Sequence, residues 1–194
     1  MKGVFIFLAE GFEDVEAVAT YDALRRGGIK AEFIGVRDEP FVTSSHGTVI
    51  GVERTLPDLL DEASHEGTDR RDFLIFPGGM PGTRNLAACK PLISLMREHY
   101  ASGGSLAAIC AAPGLVLGQL DAPEGLEFTC FDGFETALAS QGAAFVRKPA
   151  VRCGRIVTGR SAGYAVDFGL EIVEAIKGAE VAAQVRGAML LDIQ

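Results

Sequence analysis

The chain has too few basic residues to hold a polyanion. Its 18 lysines and arginines are outnumbered by 26 aspartates and glutamates, which leaves a formal charge of -8. Phosphate backbones and anionic membrane surfaces are bound by a surplus of Lys and Arg, so nucleic acid and membrane are excluded as partners. Cysteine is equally sparse: Cys89, Cys110, Cys130 and Cys153 contain no C-x-x-C pair, which excludes a zinc framework or disulfide scaffold and points to a reducing, cytoplasmic setting. Long apolar runs are also missing. The stretch Val4 to Ala9 stops at Glu10, too short for a signal segment or a membrane span. Nucleotide signatures are absent as well, because Ala9-Glu10-Gly11-Phe12-Glu13 lacks the G-x-G-x-x-G spacing and Pro77 to Gly82 lacks the Lys-Ser/Thr pair of a P-loop.

What the chain does have is a globular composition. With 194 residues, 48% of them hydrophobic, it can bury a sizeable core as one domain spanning 1–194. Apolar strand patterns and helical patterns alternate along it. Lys2 to Leu8 reads as a buried strand and Glu13 to Arg26 as a helix closed by Gly27-Gly28. Ala31 to Val36 is the next strand, Phe41 to Val52 a hairpin turning at Ser44-Ser45-His46-Gly47, and Leu56 to Glu62 a short helix. The charged segment Asp61 to Arg71 reads as a solvated connection. Asp72 to Phe76, Ser105 to Ile109 and Glu127 to Cys130 read as strands, with helices at Pro91 to Ala101 and Gly133 to Gln141. Ala150 to Arg152 and Arg155 to Thr158 form a hairpin, and Val166 to Lys177 and Val181 to Leu190 are closing helices. This order predicts an α/β fold with a mostly parallel sheet covered on both faces.

Three loops follow apolar strands and line up at the carboxyl edge of such a sheet. In the third, S-L-A-A-I-C-A-A-P-G-L-V-L-G from Ser105 to Gly118, a strand runs into a helix with Cys110 at the junction and Pro113 placed for the first helical turn. A thiol there faces the positive end of the helix dipole, which lowers its pKa. The plainer alternative is a buried cysteine acting as a small hydrophobe. The first loop carries Glu13, Asp14 and Glu16, with Glu13 and Glu16 close to one helical face. Such acids either complement the helix dipole or, pushed toward a thiolate, exchange its proton. The second, Pro77-Gly78-Gly79-Met80-Pro81-Gly82, bares backbone N–H groups that suit an oxyanion.

Taken together, L-A-E-G-F-E-D-V-E, F-P-G-G-M-P-G, A-A-I-C-A-A-P-G and E-V-A-A-Q-V resemble the ThiJ/PfpI superfamily, on the branch of the human Parkinsonism-associated protein deglycase and bacterial YajL, in collinear order over essentially the whole chain. The resemblance implies a flavodoxin-like three-layer sandwich of the class I glutamine amidotransferase type, a homodimer, and no metal or organic cofactor. It also implies a strained nucleophile-elbow Cys110 hydrogen bonded to a protonated Glu16, with Gly79 and Ala111 as backbone donors. Implied activities are glutathione-independent conversion of small reactive aldehydes such as methylglyoxal, deglycation of early glycation adducts, a chaperone-like role, and oxidation of the cysteine to a sulfinate under stress.

Departures from the family pattern decide between branches. Ala111 stands where the proteases of the superfamily have a histidine, which removes the Cys-His dyad at that position. His65 and His99 read as solvated surface residues. His46 aligns with a position that is often Arg and reaches the active site of a neighbouring subunit. Cys130 lies in a segment close to the nucleophile, where it is either a resolving thiol or an inert buried residue. Arg160, in Gly159-Arg160-Ser161-Ala162-Gly163, lines one pocket wall in place of the usual S-R-G-P-G loop. The expected function is therefore aldehyde handling through Cys110 and Glu16. The alternatives are a redox-sensing or chaperone-like stress protein with little turnover and, further off, a cysteine protease or amidase.

Overall fold

A computed structural model of the protein describes residues 3–66 and 72–191. In chain order its elements are β1 (Val4–Leu8), α1 (Asp14–Arg26), β2 (Ala31–Gly35), β3 (Phe41–Thr43), β4 (Val49–Gly51), β5 (Arg54–Thr55), α2 (Leu56–Glu66), β6 (Phe73–Phe76), α3 (Gly82–Ala88) and α4 (Lys90–Ala101). They continue as β7 (Ser105–Ile109), α5 (Ala112–Leu115), β8 (Glu127–Phe128), α6 (Thr136–Ala139), β9 (Ala144–Phe145), β10 (Ala150–Cys153), β11 (Ile156–Gly159), α7 (Ala165–Lys177) and α8 (Ala179–Ala188). A central seven-stranded sheet runs β10-β11-β7-β6-β1-β2-β5. Its pairings are parallel except for the antiparallel β10–β11 edge.

The strands read as unbroken apolar runs because both faces of the sheet are covered. Along β1, Phe5 and Phe7 point into one layer with Leu74, Phe76, Leu106, Ala108 and the α4 residues Leu92 and Met96. Val4, Ile6 and Leu8 point into the other, with Ile75, Ala107, Ile109, α1 residues Ala17 and Leu24, and α7 residues Phe168 and Ile172. Each large side chain removed from water in this way contributes about 1.5–3 kcal/mol. This rigid double layer fixes the carboxyl ends of β1, β6, β7 and β11 side by side. The β3–β4 hairpin is tied over the β1–α1 loop by a bridge between Phe12 and Ser44, with Gly11 N–H donating to Thr43 O and Ser45 N–H to Phe12 O, both at 2.8 Å.

Several boundaries differ from the sequence expectation. The helix expected over Leu56 to Glu62 runs on to Glu66, started by a reciprocal Thr55–Asp58 cap, so much of the segment expected to be a connection is helical. Its remainder, 67–71, lies outside the described residues, as does Lys2. Gly133 to Gln141 yields only the single turn α6, and the strand expected over Glu127 to Cys130 shortens to β8, which pairs with β9 outside the main sheet. The helix α3 has no counterpart in the sequence reading, where Pro81 and Gly82 look like loop residues.

His99 overturns its expected surface role. It is fully buried at the amino edge of the sheet, with Nε2 3.1 Å from the Asp72 carbonyl and Nδ1 buried without a partner. Any side chain at Gly104 would overlap its ring. Ser105 N–H donates to the same Asp72 carbonyl, and Arg155 stacks on Tyr100 beside it. Burial holds the imidazole below its usual pKa, against the carbonyl and carboxylate of Asp72, which pull it up. Its folded-state pKa is thus depressed. Below the ordinary histidine pKa of about 6.5 the unfolded chain takes up a proton that the folded chain refuses, so stability falls with pH. Thermal melts between about pH 7.5 and pH 5.5 are expected to show a fall of a few degrees that is flattened in His99→Phe; equal slopes in the two proteins would refute this assignment.

Candidate active site

Cys110 is the first residue beyond β7, and its φ of 66° lies in the left-handed region. Holding a non-glycine residue there costs about 1–3 kcal/mol. Flanking strands enforce it. The Cys110 N–H donates to Gly159 O at the end of β11 (3.0 Å), and its carbonyl accepts from Phe131 N–H (2.8 Å). The next residues form α5, with Pro113 in its first turn.

Glu16 comes from the first turn of α1 and is only 1% exposed. Its Oε2 accepts the Gly78 N–H at 2.7 Å, and Oε1 is buried without a well-formed partner. The carboxyl also interacts with the Cys110 thiol and the Ala162 amide. Gly78 must be glycine because a β-carbon there would stand 2.5 Å from Glu16 Oε2 and 2.6 Å from Cys110 Cβ. Gly79, at φ 89°, presses against the backbone of Phe12 and Glu13, and its amide and that of Ala111 reach the sulfur. The structure thus brings together Cys110, Glu16, Gly79 and Ala111. It adds Gly78, whose role as a donor to the carboxyl the sequence reading missed although the P-G-G run marked the loop.

Burial raises Glu16 to about 7, with the charge of Glu13 adding to the rise and the bonds from Cys110 and Gly78 opposing it. The expected lowering of Cys110 by the helix dipole does not occur. Burial, and then the Glu16 carboxylate, push the thiol up to about 12, while the Ala111 and Gly79 amides only partly oppose this. A four-residue helix offers little dipole against that desolvation. The two groups titrate as a couple that carries one proton between about pH 7 and about pH 12.

The remaining candidates stand around this pair. His46 is exposed on the hairpin turn and bonds Asp14 Oδ2 through Nδ1 at 2.8 Å, so within one chain it ties the hairpin to the first turn of α1 and does not serve the thiol. Arg160 donates from Nη2 to Asp132 at 2.9 Å and buries Nη1 unpartnered. Cys130 is fully buried, and burial pushes its thiol up to about 12. His65 is exposed on α2 near Asp61. Met80, Phe131 and Tyr164, on the loops after β6, β8 and β11, are exposed apolar residues that the sequence reading did not single out.

Gly78→Ala is expected to displace Glu16, to slow iodoacetamide alkylation of Cys110 at least tenfold and to cost about 1–3 kcal/mol on unfolding. Gly187→Ala, where a β-carbon meets nothing within 4 Å, is the control that leaves the site untouched and, lying in α8, is expected to unfold no more easily than the wild type. Unchanged alkylation in Gly78→Ala would show that the close approach is not needed.

Residues 2–175 match the DJ-1/PfpI family. The chain is 34% identical to Protein DJ-1 homolog B of Arabidopsis thaliana over 98% of its own length, although it spans only 42% of that protein. It is 31% identical to the glutathione-independent glyoxalase DJR-1.2 of Caenorhabditis elegans, covering 92% of this chain and 91% of that one. The crystal structure of Drosophila melanogaster DJ-1beta superposes with a TM-score of 0.85 at 28% identity over 99% of both chains. A strained elbow cysteine, a buried glutamate and a glycine-rich donor loop therefore sit on the fold expected for them, and the chain belongs to the DJ-1/PfpI family.

Proposed function

We propose that the protein converts small 2-oxoaldehydes, methylglyoxal among them, to 2-hydroxy acids without glutathione. The observation that carries this reading is the convergence of the Cys110 sulfur, the Glu16 carboxyl and the Gly79 and Ala111 amides at the carboxyl edge of the sheet. The similarity to a worm protein named as such a glyoxalase supports it.

In the proposed sequence the sulfur adds to the aldehyde carbon while the Gly79 and Ala111 amides hold the oxygen as charge builds on it. Glu16 then takes the proton from that carbon and returns one to the neighbouring carbonyl carbon, so that the aldehyde carbon is oxidised to a thioester as the ketone is reduced to an alcohol. Water hydrolyses the thioester, releasing the hydroxy acid and restoring the thiol. Substrate plus one water equals product, so no external oxidant or cofactor enters. The same chemistry reaches an early glycation adduct, where the leaving group is an amine. A Cys-His protease mechanism lacks support within the chain, since His46 is held by Asp14, His65 lies on α2 and His99 is at the opposite edge of the sheet.

The reading includes a homodimer in the cytoplasm. Exposed Val15 and Val18 on α1 and Phe41 and Val49 on the hairpin supply apolar surface beside His46 for a second copy.

Lactate formation from methylglyoxal is expected in the wild type, with kcat/KM rising as pH passes about 7 and the pair loses its first proton. Cys110→Ser and Glu16→Gln should each lose at least about 100-fold. Wild-type turnover no greater than that of the variants would overturn the proposal. In that case, selective gain of two oxygens on Cys110 under mild peroxide would favour the redox-sensing reading.

A further inference from the structure

Glu13 stands next to the reacting pair without touching the sulfur. Its Oε2 accepts the Glu16 N–H at 2.7 Å, capping the turn of α1 that carries Glu16. Its own N–H donates to Gly78 O at 3.0 Å, and the Gly78 N–H donates to Glu16 Oε2 at 2.7 Å. Glu13, Gly78 and Glu16 thus form a closed ring of hydrogen bonds. A shift of any one member moves the other two.

The charge on Glu13 is poorly compensated, whereas that on its neighbour is well met. Asp14 turns to the hairpin, where Ser44 donates at 2.7 Å and His46 lies at 2.8 Å. Glu13 forms no ion pair among the described residues; His46 stands close by, a ring nitrogen within 4.8 Å of carboxylate oxygens of Glu13 and Asp14, but its hydrogen bond goes to Asp14. What faces Glu16 from the other elements is neutral: the Gly78 amide after β6, the Ala162 amide after β11 and the Cys110 thiol after β7. Glu13 is a charged side chain that acts on Glu16, and it does so from within the same helical turn.

We infer that Glu13 is a positioning residue: its carboxylate clamps the turn that carries Glu16, and its charge biases the proton shared by the pair toward the Glu16 carboxyl and away from the Cys110 sulfur. The two arrangements of the pair have equal net charge and differ in where it sits. Glu13 is fastened to the Glu16 turn, so its repulsion is greater when the charge sits on that carboxyl. That repulsion favours the arrangement with the charge on the sulfur, where the Gly79 and Ala111 amides receive it.

This inference rests on the reading of Cys110 and Glu16 as the reacting pair, and it can be tested without turnover. Glu13→Gln keeps an oxygen that caps the turn and removes the charge. The carboxyl 13C resonance absent from Glu16→Gln should titrate about one pH unit lower in Glu13→Gln than in the wild type. Alkylation of Cys110 by iodoacetamide near pH 8.5, where the pair carries one charge, should fall about threefold or more. Glu13→Asp, which restores the charge, should recover most of both. A Glu13→Gln titration and alkylation rate that superimpose on the wild type overturn the inference. A shifted titration in a protein that makes no lactate leaves it standing and overturns the proposed activity instead.

Discussion

The hydrogen bond from the Gly78 amide to Glu16 Oε2 is the contact on which the site depends. A carboxyl that is 1% exposed has lost its water, and ionising it there is expensive unless the protein supplies donors. The Gly78 amide meets one oxygen squarely, whereas the other is buried without a well-formed bond, the Cys110 thiol and the Ala162 amide offering only partial compensation. That incomplete solvation keeps Glu16 near the middle of the pH range, neither a permanent anion nor a permanently neutral acid. The amide can serve only because residue 78 has no side chain: the space a β-carbon would take is occupied by the carboxylate and by Cys110 itself.

The rigid sheet is what lets this arrangement persist. Cys110 is held at φ 66° by bonds to Gly159 and Phe131, which belong to the two neighbouring segments of the carboxyl edge. The bond to Gly159 cannot relax without moving β11, a strand of the sheet packed on both faces, so strain at the elbow is borne by the core. At the opposite edge a second buried titratable group, His99, is used differently. It meets the Asp72 carbonyl, and its burial favours the neutral form against the pull of the Asp72 carboxylate. One edge of the sheet stores a movable proton. The other excludes one.

Much of this was legible in the chain. The apolar runs Val4–Leu8, Phe73–Phe76 and Ser105–Ile109 marked parallel strands because a residue covered on both faces shows no alternation. The elbow was legible from Ala111, Ala112 and Pro113, and the facing loops from their place after strands. What escaped was set by distances across the fold. The pattern around His99, with Arg97 and Glu98 before it, looks like surface; its burial is decided by Gly104 and Asp72, which fold back against the ring. The sign of the Cys110 shift also escaped, because a dipole argument uses the helix alone whereas desolvation depends on everything packed around the sulfur. Gly78 was visible as a glycine, but the carboxyl its amide meets is 62 residues away.

The charge of the site bears on the substrate proposed for it. Around the sulfur the donors are neutral amides, and the ionisable groups that act on the pair are acids. Arg160, the basic candidate from the sequence, spends one arm of its guanidinium on Asp132. An anionic substrate would meet repulsion from a chain already at -8 and from a reacting pair that carries a charge of its own. A neutral aldehyde meets none on approach, and it becomes charged only after sulfur has added, when its oxygen lies against the amides. The preference for that moment over the ground state is what catalysis requires. Small neutral 2-oxoaldehydes satisfy both conditions, and their oxidation and reduction occur within one molecule, which suits a site whose working parts are one sulfur, one proton and backbone.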